Sequence, residues 1–227
     1  MTGETVATLA TAVEEVRKRT AAACARSGRD PGDVTVVAAA KTMPVEQVRA
    51  AIAAGITDIA ENRVQEALPK VEALRAEGHQ ARWHFIGHLQ RNKARQAAGA
   101  FDVIQAVDSA ALLQALDNAA GAPLECFVQV NVAGDEQKYG IDPGELPVLL
   151  REAAACANVH VTGLMTIGRQ VAHPEDARPY FRALRELARD HGLDKLSMGM
   201  SEDFEVAIEE GATHVRIGRA LFGERSV

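Results

Sequence analysis

The 227 residues carry 25 Lys and Arg against 31 Asp and Glu, a formal charge of −6, and are 47% hydrophobic but only 4% aromatic. That composition suits one large soluble globular domain and not a disordered chain, and its acidic balance excludes a nucleic-acid binder that works through a basic surface. Three cysteines without paired spacing point to neither a disulfide framework nor a zinc site, and no run approaches the roughly 18 apolar residues of a membrane span.

An N-terminal helix is expected over roughly residues 4–27, within a segment 1–30 that packs on the rest of the domain. The opening "MTGETVATLATAVEEVRKRT" has an early acid and spaced apolar positions, so it lacks signal-peptide form and a cytoplasmic protein is expected. Short apolar runs then alternate with helix-period segments, as repeated βα units do. Eight strands are predicted: 34–40, 56–61, 82–87, 101–107, 124–131, 159–165, 195–200 and 213–218. Between them, Val45, Val48 and Ile52, then Val64, Leu68, Val71 and Leu74, each draw one apolar stripe along a helix. Leu146, Leu149, Leu150 and Ala153 mark another, as do Tyr180, Phe181, Leu184 and Leu187, while Phe204 and Ile208 mark a short helix stopped at Gly211. Eight strands each trailed by a helix make a single (β/α)8 TIM-type barrel over 1–227. An open doubly wound sheet shares the local alternation, but no GxGxxG follows the first strand.

In a barrel the chemistry sits where strands end and βα loops begin. Lys41, in "AAAKTMP", ends the first run, with Pro44 opening the next helix where its missing N–H costs little. A lysine there is either solvated at the rim or held in a dry pocket, where its neutral amine attacks carbonyls to form a Schiff base. On the eighth strand Val215 and Ile217 alternate with His214, Arg216 and Gly218, so the polar set faces inward. Arg216 then needs an acceptor, either an internal carboxylate or a ligand. Gly218 opens a short helix "RALFGE", and Ser201 precedes "EDFEVAIEE" either as its N-cap or as a phosphate contact, with Glu202 and Asp203 expected to point outward. His84 and His88 are four apart but on a strand end, not the helix a zinc-binding HExxH requires. The run Arg91, Lys93, Arg95 reads as a solvated helix face, and no GxSxG elbow of a hydrolase is present.

The segments "AAAKTMP", "AENRVQEALPK", "WHFIGHLQRNK", "GLMTIG" and "LSMGMSEDFEVAIEEGATHVRIGRALFG", in this order, resemble the pyridoxal phosphate homeostasis proteins of the YggS/PROSC type across nearly the whole chain. The resemblance implies a barrel like the N-terminal domain of alanine racemase, binding pyridoxal 5'-phosphate as an internal aldimine on Lys41. It further implies that Ser201 with the Gly218 and Arg219 N–H groups grips the phosphate, that Arg216 faces the pyridine nitrogen, and that Asn62 and Met165 line the ring pocket. Two positions depart from the family pattern: Ala60 stands where a glycine often precedes "ENRVQE", and Arg219 where a Thr or Ser often follows "RIG".

An arginine at the ring nitrogen keeps it unprotonated and makes the cofactor a weak electron sink. Racemisation also calls for a second base, and neither Tyr139 in "GDEQKYGID" nor Tyr180 on a helix stripe is expected over a strand end. The expectation is therefore a monomeric, non-catalytic protein in vitamin B6 and amino-acid homeostasis, with pyridoxal-phosphate-dependent apo-enzymes as candidate recipients. The alternatives are a small pyridoxal phosphate racemase and a cofactor-free Schiff-base aldolase.

Overall fold

All eight predicted apolar runs contain a strand in the computed structural model, which describes residues 3–135, 137–169 and 171–223. The expected domain 1–227 also takes in residues 1, 2, 136, 170 and 224–227, which lie outside the described residues. The strands are β1 (Thr35–Ala39), β2 (Asp58–Glu61), β3 (Arg82–Phe85), β4 (Val103–Val107), β5 (Leu124–Gln129), β6 (Val159–Met165), β7 (Lys195–Met200) and β8 (His214–Ile217). They pair in parallel in chain order, and β8 closes on β1 with Val37 beside Arg216, which settles barrel over open sheet.

The helices are α1 (Gly3–Ser27), α2 (Val45–Ala53), α3 (Val64–Ala76), α4 (Ala94–Ala100), α5 (Ala110–Ala119), α6 (Leu146–Ala153), α7 (Arg178–Asp190), α8 (Phe204–Glu209) and α9 (Arg219–Phe222). Helix α7 lays its apolar stripe on β6 and β7, with Phe181, Leu184 and Ala188 buried at i, i+3 and i+7. Helix α1 does not trail a strand. It packs on α8, where Arg19 forks onto Glu205 at 3.0 and 2.8 Å, and Arg29 just beyond it donates to the carbonyls of Ile208 and Ala212 at 2.8 Å each. No helix among the described residues is long and apolar enough to cross a membrane.

Side-chain alternation divides the barrel into two cores. Ile59, Trp83, Val215 and Ile217 belong to the main apolar cluster, whereas Val103, Ala106, Phe127 and Met165 form a separate one. That second cluster lies inside: Phe127 on β5 meets His214 on β8 edge to face at 5.2 Å, and non-adjacent strands touch only through the interior. At the floor, where strands begin, Glu125 takes hydrogen bonds from Arg82, Lys195 (2.7 Å) and Thr162 (2.6 Å). Burial alone would push the Glu125 carboxyl up, but these donors outweigh it and hold it at about 2.

The C-terminal end of β7 depends on one glycine. Gly199 has φ +87°, and a Cβ there would lie 2.5 Å from Ala207 Cβ and 2.9 Å from Phe204 Cα. Without a side chain, β7 kinks against α8, and its pairing with β8 shifts register between Ser197 and Met200. The kink sets down Ser201.

Candidate functional site

Lys41 stands two residues past the last residue of β1, in a turn and not on the strand itself. The Ala40 N–H still bonds the Ala60 carbonyl, Met43 N–H returns to Ala40 O, and Thr42 takes the left-handed conformation at φ +68°. A β-branched residue in that region is strained, and such strain persists only where surrounding contacts over-determine it. One of them is visible: Lys70 on α3 donates to the Ala40 carbonyl at 3.3 Å and to Glu61 at 2.6 Å. Glu61 is fully buried, burial raising its pKa against the pull of Lys70, and its Oε2 has no hydrogen-bond partner.

Lys41 is half-buried and lines a cleft of about 100 Å³ at the C-terminal mouth together with Ser201, Arg216, Gly218 and Arg219. Five of the seven predicted site residues thus converge across the ends of β1, β7 and β8. Asn62 lies beyond β2 with its backbone pressed on the next loop: a Cβ on Gly87 would fall 2.2 Å from its carbonyl oxygen. Met165 is fully buried inside the barrel against Val103, Ala106 and Phe127. Neither of these two lines the Lys41 cleft.

Ser201 does not cap the helix that comes after it. Helix α8 begins at Phe204, and the Ser201 hydroxyl instead accepts from Gly218 N–H (3.3 Å) and Ala220 N–H (3.2 Å), the start of α9. Local spacing suggests α8, but the kink at Gly199 turns the serine toward the next βα unit. There its oxygen occupies amides that an anion's oxygens would otherwise engage. Of the two acids expected to point outward, Glu202 does and pairs with Arg219 at 2.6 Å. Asp203 turns in: it is 8% exposed, accepts from Met200 N–H at 2.6 Å, and burial raises its pKa. The Arg219 guanidinium therefore lies along the surface with Glu202.

Arg216 is 4% exposed and points into the barrel, donating to Ser197 Oγ (2.8 Å) and to the Thr166 carbonyl (2.7 Å). Among the described residues no carboxylate lies within ion-pair distance of it, so the internal-carboxylate alternative does not hold. Burial pushes its pKa down to about 10, with Asp203 attracting it from a distance. A buried guanidinium held by neutral acceptors has capacity for another acceptor.

Some residues are not anticipated as a group. Asp58, His84, Gln105 and Ser197 form one hydrogen-bonded file leading to Arg216. Their only advance signal is polarity at inward strand positions. His88, beyond β3, bonds Asp108 at 3.2 Å and stacks on Tyr139 at 4.0 Å between ring centroids. That corrects the placing of Tyr139 away from the strand ends: the β5–α6 loop folds back, with Ile141 N–H on Gln129 O, and carries the tyrosine to the mouth. His84 lies inside the barrel and His88 above it, and the described residues hold no group of three His, Cys, Asp or Glu placed for a metal.

The model of the alanine racemase N-terminal domain matches residues 13–226. A pyridoxal phosphate homeostasis protein of Aquifex aeolicus is 44% identical over 223 residues, covering 94% of this chain and 96% of the relative. Among solved structures, PipY of Synechococcus elongatus with pyridoxal phosphate bound superposes with a TM-score of 0.82 at 34% identity, covering 95% of this chain and all of PipY. Alanine racemase of Corynebacterium glutamicum shares the fold at TM-score 0.72 and 16% identity, and the match takes in 62% of the racemase chain.

Proposed function

The chain belongs to the pyridoxal phosphate homeostasis protein family, built on the alanine racemase N-terminal domain, and from that premise we propose that it binds pyridoxal 5'-phosphate at the C-terminal mouth of its barrel and serves cofactor homeostasis without turnover. The observation that carries this reading is Arg216, a cation sunk in the barrel that forms an ion pair with no carboxylate among the described residues and lines the same cleft as Lys41. The residues present fit the cofactor. It would supply an aldehyde for an amine to attack, a ring nitrogen that accepts a hydrogen bond, and a phosphate.

Lys41 supplies the amine, and the turn pinned by Lys70 holds it at the rim. Arg216 would donate to the ring nitrogen and, being charged below about pH 10, would keep that nitrogen from taking a proton. Ser201, giving up the Gly218 amide it occupies here, would hold the phosphate with the Gly218 and Arg219 amides, while Asn62 and Met165 lie outside the Lys41 cleft and would take no part in it. The Glu202 partnership of Arg219 leaves its backbone as the contact. A ring nitrogen facing arginine withdraws electrons weakly, which supports a carrier over a transaminase or decarboxylase. We assign the protein to the cytoplasm as a monomer, with apo-enzymes that need the cofactor as its recipients.

The test is the visible absorption spectrum with added pyridoxal phosphate, before and after borohydride, followed by peptide mapping. A band that borohydride bleaches, with the pyridoxyl adduct on Lys41 and lost in Lys41→Ala, is the expected result. No band and no adduct would refute the reading, and trapping only by a carbonyl substrate without cofactor would indicate an aldolase. Tyr139 at the mouth, stacked on His88, favours one second reading, a racemase. Measurable turnover of alanine or serine that disappears in Tyr139→Phe would establish it.

A further inference from the structure

Beneath Arg216, hydrogen bonds run in single file across the barrel. Arg216 Nη1 meets Ser197 Oγ at 2.8 Å, Ser197 Oγ meets Gln105 Oε1 at 2.6 Å, Gln105 Nε2 meets His84 Nδ1 at 2.9 Å, and His84 Nε2 meets Asp58 Oδ1 at 2.8 Å. These residues lie on β8, β7, β4, β3 and β2, so the file spans the interior from mouth to floor. His84, Gln105 and Ser197 are fully buried, and Asp58, at 7% exposed, borders a cleft of about 540 Å³ between α1 and the barrel floor.

The two ends constrain the direction of the bonds. A carboxylate only accepts, so His84 puts a proton on Nε2 toward Asp58, and as the neutral imidazole it accepts at Nδ1. Gln105 must then turn its NH2 to His84 and its oxygen to Ser197, and the Ser197 hydroxyl donates to that oxygen. Its lone pairs are left for Arg216, which as a guanidinium only donates. With a neutral His84 both ends demand the same order, whereas a doubly protonated His84 would reverse the Gln105 amide and leave Ser197 accepting from Gln105 as well as from Arg216. Thr57 adds a bond to Asp58 at 2.6 Å, and although burial raises the Asp58 carboxyl, the His84 and Thr57 bonds outweigh it and hold it below the ordinary range.

The consequence reaches the mouth. An arginine facing a freely rotating serine hydroxyl has several comparable orientations. Here the hydroxyl proton turns to Gln105 and its lone pairs to Arg216, which together with the Thr166 carbonyl bond holds the guanidinium in one orientation. We propose that Ser197, Gln105, His84 and Asp58 are positioning residues for the pyridoxal phosphate pocket: they fix the Arg216 guanidinium and thereby set its hydrogen bond to the cofactor ring nitrogen, coupling that nitrogen to a carboxylate on the opposite face of the barrel. This rests on the cofactor reading given above.

The experiment compares wild type with Ser197→Ala, Gln105→Leu and Asp58→Asn. In each, the dissociation constant for pyridoxal phosphate, the pH midpoint of the bound-cofactor absorption band and the apo-protein melting temperature are measured. Ser197→Ala and Gln105→Leu should bind about tenfold more weakly, the worth of one bond to a charged group. Asp58→Asn should displace the pH midpoint in the same direction as they do, although it lies at the floor, and Asp58→Glu should restore it. Wild-type affinity and midpoint in Ser197→Ala and Asp58→Asn, with only the melting temperature lowered, would reduce the file to a structural polar core and overturn the proposal. Where Asp58→Asn does not fold, Ser197→Ala, which adds no volume, decides alone. Imidazole 15N spectra of the apo-protein separate the two readings. A proton on His84 Nε2 alone with no cofactor binding would sink the cofactor reading and leave the file standing, whereas a proton on Nδ1 would overturn this order of donors, and with it the turning of the Ser197 hydroxyl to Gln105, whatever the cofactor does.

Discussion

Replacing Arg216 by methionine should stabilise the apo-protein while weakening its hold on the cofactor. Burial pushes the Arg216 pKa from the ordinary arginine range down to about 10, so holding that charge inside costs about 3 kcal/mol. A base whose pKa falls on folding destabilises the fold while it is charged, so this cost is present in full below about pH 10 and fades as pH rises from there through the ordinary arginine range. Methionine fills much of the volume without charge. Against the gain stand the lost bonds to Ser197 Oγ and the Thr166 carbonyl, each worth about 1 kcal/mol net. The balance is about 1 kcal/mol in favour of the variant, a rise of roughly 2–4 °C in melting temperature for a domain of this size. Pyridoxal phosphate should behave oppositely. At one hundred times its dissociation constant it raises wild-type stability by about 2.7 kcal/mol, and in Arg216→Met that increment should shrink by about 1.4 kcal/mol, tenfold in affinity. Thermal melts with and without the cofactor measure both. An apo-variant that melts several degrees lower, with the cofactor increment intact, would mean that Arg216 is a satisfied structural residue and that the argument from its burial is wrong.

Two further perturbations test the supports of the site. Glu125→Gln removes the carboxylate that Arg82, Lys195 and Thr162 hold at about 2 against an ordinary 4.5. A depressed acid contributes above its unfolded pKa and loses that contribution as pH falls toward the folded value, so wild type should lose about 3 kcal/mol between pH 4.5 and about 2 relative to the variant. Urea titrations across that range with equal slopes for both proteins would refute it. Lys70→Met leaves Glu61 buried without its cation, a loss of about 3–5 kcal/mol at neutral pH. The loss should shrink in mild acid, where the carboxyl takes up a proton, and the freed Ala40 carbonyl should lower the yield of adduct on Lys41. Equal destabilisation at both pH values would show that lost packing, not a stranded charge, is responsible.

The strands are legible in the sequence because β-runs and helix stripes differ in period over short distances, and each strand lies within its predicted run. Closure of the barrel is legible only as a count, since β8 on β1 pairs Thr35 with His214 across most of the chain. The convergence of Lys41 with Arg216 and Gly218 is readable for the same reason: once eight parallel strands close in order, their C-terminal ends must meet. The capping partner of Ser201 is not readable, for a physical reason. Its position before an acidic, helix-forming segment is a sound local cap signal, but Gly199 bends the chain so that the hydroxyl reaches α9, seventeen residues on. Local sequence cannot weigh a glycine that works through the close approach of Phe204 and Ala207.

The file from Asp58 to Arg216 shows the same limit more sharply. Each member taken alone is an ordinary polar residue on a strand, and on an open sheet an inward polar position would simply face solvent or a helix. Only barrel closure makes β4 and β7 face each other across a dry interior, so that Gln105 must find Ser197 and leave neither group unpaired. Five polar side chains at inward positions on five strands are therefore not independent choices. Burying any one of them without the others would leave a donor or acceptor stranded at a cost of about 1–3 kcal/mol, so the set stands or falls together. A set whose chain of donors ends on a cation at the mouth, where Lys41 also stands, is better explained by what that cation holds than by stability, because an apolar interior would have been the more stable choice.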